Sequence, residues 1–158
     1  MGANMNNKKY NRILFVGMGN TCRGPIAETL FKSYEEEEET EVLSRGMVVL
    51  FSEPCNPKAR IVLSNHGLDL PEKYRSKQLK EKDITEHTLI LTMTVNQKNK
   101  VREEFGKEKN VYAIKEFVDE EGDVLDPYGG DLLDYEACFS DLHRLVKKTI
   151  YKLNEELE

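Results

Sequence analysis

The chain reads as a single α/β domain with a four-stranded parallel sheet flanked by helices. Three features predict this. Short runs of strand-forming residues alternate with helix-period segments, the first run ends in a glycine-containing turn that opens directly into a helix, and 158 residues are enough for one domain but not for two comfortable ones.

Arg12 to Val16 is a short apolar run of strand type. Pro25 suits the first turn of the helix that follows, where Ile26, Ala27, Leu30, Phe31 and Tyr34 recur at helical spacing. The acidic run Glu35 to Glu39 reads as a solvated helix end or loop, because clustered like charges resist burial. Glu41 to Arg45, ending at Gly46, is a second strand, with Val48 to Phe51 expected to extend or abut it. Asn56 and Pro57 signal the start of the next helix, Ala59, Val62 and Leu63 give its inner face, and Gly67 ends it. Thr88 to Met93 is a buried third strand. Thr94 and Gln97 then form a capping-box pattern for a helix that stops at Gly106. Val111 to Ile114 supplies the fourth strand, and a long amphipathic helix runs from about Asp131 towards Leu157. Residues 1–10 are expected to be a flexible segment and residues 11–158 the domain.

The net charge of −6 argues against a nucleic-acid binder, so an anionic ligand needs a local site. No apolar run approaches the roughly 18 to 20 residues that span a bilayer. The polar opening lacks the core of a signal peptide, and Gly2 is a weak lipidation signal because Asn6 stands at the usual Ser or Thr position. A cytoplasmic protein with no membrane partner is the expectation. Cys22, Cys55 and Cys138 are odd in number and far apart, which fits neither a disulfide framework nor a metal site. No metal or cofactor is expected.

Residues 17 to 25 read Gly-Met-Gly-Asn-Thr-Cys-Arg-Gly-Pro and fall where a helix start presents unpaired N–H groups and the positive end of its dipole. That is a seat for an anion. The backbone of Met18, Gly19, Asn20, Thr21, Cys22, Arg23 and Gly24 can curl around a phosphate or sulfate, and the Arg23 guanidinium can fork onto two of its oxygens. Gly17-x-Gly19 also begins like a dinucleotide fingerprint, but the third glycine position holds Cys22 and an arginine follows at once.

Val16 to Pro25 resembles the signature Val-Cys-x-Gly-Asn-x-Cys-Arg-Ser-Pro of the low-molecular-weight protein tyrosine phosphatases, and Ala27-Glu28 continues the match. Asp126-Pro127-Tyr128 resembles that family's second signature, before its last helix. The likeness spans about residues 10 to 155 and implies phosphomonoester hydrolysis through a phosphocysteine, acting on phosphorylated proteins or peptides. It implies that Arg23 binds the phosphoryl group and that Asp126 is the general acid. Asn20, Ser44 and His66 would support the loop, and Tyr128 would line its mouth. Gly17, however, stands where the family has its nucleophilic cysteine, and Gly24 replaces a serine that helps stabilise the thiolate. A thiolate is the attacking species in this chemistry, so catalysis is expected to be impaired. Gly17 fits either a natural pseudophosphatase or an engineered inactive variant, and the loss of the serine leans towards the first. Cys22 is expected to pack rather than attack, and without a partner thiol at 17 the family's protective disulfide is lost. Thr21 and Asp126-Pro-Tyr-Gly-Gly130 resemble the bacterial protein arginine phosphatases, which keeps phosphoarginine open as a substrate; arsenate reduction would need cysteines placed otherwise. The remaining class of reading is a non-catalytic module that captures phosphorylated partners.

Overall fold

The computed structural model describes residues 9–35, 40–106 and 110–155. Most of the acidic run, most of the N-terminal segment and the last turn expected of the final helix lie outside these residues. Among them, four strands form one parallel sheet: β1 (Arg12–Gly17), β2 (Glu41–Gly46), β3 (Thr88–Thr92) and β4 (Asn110–Ala113), in the order β2-β1-β3-β4. The helices are α1 (Arg23–Tyr34), α2 (Pro57–Asn65), α3 (Val95–Phe105), α4 (Ile114–Phe117) and α5 (Leu132–Glu155).

Successive strand residues face opposite sides, so a parallel sheet must be apolar on both. Ile13 and Phe15 pair in register with Leu89 and Leu91, and all four enter a core with Ile26, Leu30 and Phe31 of α1, Val62 and Leu63 of α2, and Leu142 and Val146 of α5. Leu14, Val16, Ile90 and Val111 point the other way, into a smaller core closed by Val101 of α3 with Leu79 and Ile84. Local capping works as the sequence indicates. The Asn56 side chain accepts from Lys58 N at the start of α2, and Thr94 and Gln97 form the reciprocal pair that opens α3.

Three expectations need correction. Tyr10 is 6% exposed and packed in the larger core, so the domain begins before residue 11. Val48 to Phe51 is a loop. At Gly46 the pairing of β2 turns to Lys77 and Leu79, while Met47 and Val48 donate to Gly17 O and Met18 O, leaving Leu50 and Phe51 in solvent. A Cβ at Gly46 would lie 2.9 Å from Met18 O and 2.6 Å from Val49 Cγ2, so this close approach of two chains requires glycine. Finally, Ile114 begins the short helix α4 instead of ending β4, because Glu116 caps the turn through Ala113 N.

An ion cluster fastens the segment after α4 to the last helix: Glu120 accepts from Arg144 at 2.9 Å and from Lys148 at 2.8 Å. These hydrogen bonds hold the Glu120 carboxyl at about 2, below the ordinary glutamate value. Because the folded-state pKa is the lower one, its stabilisation is complete above roughly pH 5 and fades as pH falls through the folded value. The Tm difference between the chain and Glu120→Gln is expected to be small, given the exposure of both cations, to hold steady above about pH 5 and to shrink as pH falls from there towards about 2, followed by thermal unfolding.

Candidate active site

The order of strands reverses between β1 and β3, and ligands in open α/β sheets bind beyond the carboxyl ends of strands at such a point. Residues 17 to 24, the end of β1 and the start of α1, lie there and line a cavity of about 220 Å³ together with Asp126 and Tyr128. Drug-sized pockets run roughly 300–1,000 Å³. This one suits an inorganic ion or a side-chain phosphoryl group better than an extended cofactor.

The turn is anchored by its carbonyls and open at its amides. Gly17 O, Met18 O, Thr21 O and Cys22 O accept from the amides of Met47, Val48, Asn56 and Ile26. The amides of Met18, Gly19, Asn20, Thr21, Cys22, Arg23 and Gly24 donate to no other described residue. Helix α1 moreover starts with no side-chain cap and no acidic residue in its first turn. Unpaired amides at a helix N-terminus, with its partial positive charge, favour a bound anion.

Asn20 shapes this curl. Its φ of 62° is left-handed, a region asparagine tolerates better than most residues. It is pinned at three places: Nδ2 donates to Ser44 Oγ at 3.0 Å, Oδ1 accepts from Lys77 N at 2.9 Å, and its carbonyl accepts from Tyr74 Oη at 2.8 Å. Ser44 in turn donates to Glu28 Oε1 at 2.7 Å and lies 3.2 Å from Tyr74 Oη. Ser44 thus bonds to the turn through Asn20, whereas among the described residues no hydrogen bond or ring contact joins His66 to the turn. His66 caps α2, meets Glu136 Oε2 at 2.9 Å and stacks on Phe139 at 4.0 Å, which ties it to α5 instead. Tyr74 takes the supporting place. It lies in an irregular segment, where no periodicity or cap could have marked it.

Arg23 is 6% exposed at the first position of α1. Its Nη1 donates to Val124 O at 2.8 Å, and its Nη2 lies 3.5 Å from Asp126 Oδ2. Val124 N bonds to Met93 O, which holds the Asp126 loop against the end of β3. Asp126 Oδ1 accepts from Tyr128 N at 3.0 Å, and the Tyr128 ring stands 73% exposed at the mouth. Cys22 is buried, with its Sγ 3.5 Å from Tyr135 Oη. Burial pushes its thiol up against the opposing hydrogen bonds of Tyr135 and Thr21, so it stays protonated at neutral pH. Burial likewise pushes Cys55 and Cys138 up to about 12.

The two glycines that depart from the resembled pattern differ in their surroundings. A Cβ at Gly17 would meet only Met93 Cγ, at an ordinary 3.6 Å. A Cβ at Gly24 would come 2.8 Å from Asn20 Nδ2 and 3.2 Å from Ser44 Cβ, the pair that fixes the loop. Gly24→Ser is therefore expected to destabilise the chain by about 1–3 kcal/mol in thermal or urea unfolding and to weaken phosphate binding, because the Asn20–Ser44 bond must shift. An unchanged Tm and affinity would show that the loop makes room freely.

Amides that donate to no other described residue, a buried arginine and an aspartate beside it thus meet at the switch point. The family model for low molecular weight phosphotyrosine protein phosphatase matches residues 12–158. The low molecular weight protein-tyrosine-phosphatase PtpB of Staphylococcus haemolyticus (strain JCSC1435) is 37% identical over 137 residues, covering 87% of this chain and 96% of that protein. The solved YwlE arginine phosphatase from Geobacillus stearothermophilus has a TM-score of 0.84 at 35% identity, covering 92% of this chain and 94% of that one. A YwlE arginine phosphatase mutant with a phosphorylated active site serine has a TM-score of 0.84 at 34% identity, covering 93% and 99%. The chain belongs to the low molecular weight phosphotyrosine protein phosphatase family.

Proposed function

We propose that this chain binds a phosphorylated residue of a protein or peptide in the cavity after β1 but hydrolyses it poorly, because Gly17 occupies the position of the family's nucleophilic cysteine. One observation carries the reading: the amides of residues 18 to 24 donate to no other described residue, and the cavity they surround is lined at Gly17 by backbone alone. The amides and Arg23 hold the equatorial oxygens. Asp126, beside Arg23, is placed to protonate a leaving group, yet without an attacking group that proton has no step to assist. Cys22 does not substitute, since its thiol is buried, protonated and turned to Tyr135. The proposed chemistry uses no cofactor, and the three free thiols of the chain, Cys22, Cys55 and Cys138, suit a reducing, cytoplasmic setting.

Calorimetric titration with inorganic phosphate, run beside a turnover assay on an aryl phosphate, tests this. Binding without measurable turnover is expected. Substantial turnover would remove the impaired reading, and absence of binding would remove the cradle. Phosphoarginine is a second reading, favoured by Thr21, which lines the cavity, and by the similarity to an arginine phosphatase. Peptides carrying phosphotyrosine or phosphoarginine, compared for affinity, separate the two.

A further inference from the structure

A second cavity of about 380 Å³ adjoins the first, and Met18 belongs to both. Its apolar part is Met18, Met47 and Val48; Met18 and Val48 are exposed, and Met47 is half-buried against the smaller core. Its other wall is the solvent side of α3, with Lys100, Glu103 and Glu104. The cations Lys98 and Arg102 of the same helix are engaged, with Glu116 and with Val111 O. Glu103 and Glu104 form no ion pair or hydrogen bond with another described residue. Among the described residues, one lysine against two glutamates leaves this wall net negative.

Carboxylates beside a seat for a phosphate dianion work against a bare anion, since like charges repel across the short span that water and salt do not fully screen. The same arrangement favours a ligand that is negative at one end and positive at its neighbour. We propose that this groove receives a lysine or arginine flanking the phosphorylated residue of a partner polypeptide. Its methylene stem lies on Met18, Met47 and Val48, and its cationic end meets Glu103 and Glu104. Long basic side chains are amphipathic in this sense, and methionine surfaces adapt to such stems. The inference rests on the cradle being a phosphate site, and it adds a sequence preference to that reading.

The test uses fluorescence anisotropy with labelled peptides of neutral flanks, carrying phosphotyrosine or phosphoarginine, each compared with versions bearing lysine within two residues on either side. A lysine version is expected to bind about five- to tenfold tighter, with the advantage shrinking in high salt and vanishing in the double variant Glu103→Gln/Glu104→Gln. Both positions are exposed on the helix, so the variant keeps the fold, and its inorganic phosphate affinity is expected to be equal or slightly higher. Phosphate binding with no lysine advantage in either series, or an advantage that survives the double variant, overturns the groove alone. Failure of the parent chain to bind inorganic phosphate overturns the cradle, and the groove with it; loss of that binding in the double variant alone overturns the groove.

Discussion

Gly17→Cys is expected to raise aryl phosphate hydrolysis by on the order of 10³-fold or more over the chain as it stands. The open amides of the turn, the bonds that pin Asn20 and the carboxylate beside Arg23 are in place. On the proposed reading the site lacks the bond-forming atom and the hydroxyl at position 24, and groups that act as a unit lose most of their combined effect when one is removed. Position 17 also has room, since the added Cβ meets Met93 Cγ at 3.6 Å and no backbone. The new thiol would stand at the cavity lined by the turn, whose amides donate to no other described residue, and such a setting lowers thiol pKa and favours the thiolate. Gly24 stays glycine in this variant, because a side chain there presses on Asn20. The measurement is initial rate on an aryl phosphate, with phosphate affinity determined in parallel. A variant that binds phosphate as before yet remains inert would show that more than the nucleophile has been lost.

The elements of this fold were readable because each carries its own local signal. Buried strands appear as apolar runs, and Asn56, Thr94 and Gln97 mark helix starts through bonds only two or three residues long. The turn after β1 was readable for the same reason, since its small residues and arginine are contiguous. What escaped is set by contacts far apart in sequence. Tyr74 reaches Asn20 across 54 positions from an irregular segment, and His66 is drawn to Glu136 across 70. Nothing near Val48 to Phe51 shows that the edge of β2 is taken over by Lys77 and Leu79, which ends the strand at Gly46 and leaves Leu50 and Phe51 exposed. The crowding at Gly24 and the space at Gly17 were equally invisible, because both are properties of neighbours brought in from other elements.

Arg23→Lys is expected to weaken inorganic phosphate binding about 10- to 100-fold although the formal charge is unchanged. A guanidinium offers several N–H donors in a fixed plane. One of them is already committed to Val124 O at 2.8 Å, which orients the group and leaves the rest of the fork for the cavity. An ammonium is a point charge on a flexible stem; to satisfy Val124 O it must turn from the anion, and to meet the anion it must leave that carbonyl without its donor. The same change loosens the Asp126 loop, whose carboxylate faces Arg23 at 3.5 Å. Stability and affinity can be told apart by thermal unfolding with and without phosphate, since a ligand bound only by the folded state raises Tm in proportion to ln(1 + [L]/Kd). In the parent chain added phosphate is expected to raise Tm, and in Arg23→Lys that increment is expected to shrink more than the unliganded Tm falls. An affinity within threefold of the parent would mean that the amides of the turn hold the anion without the fork.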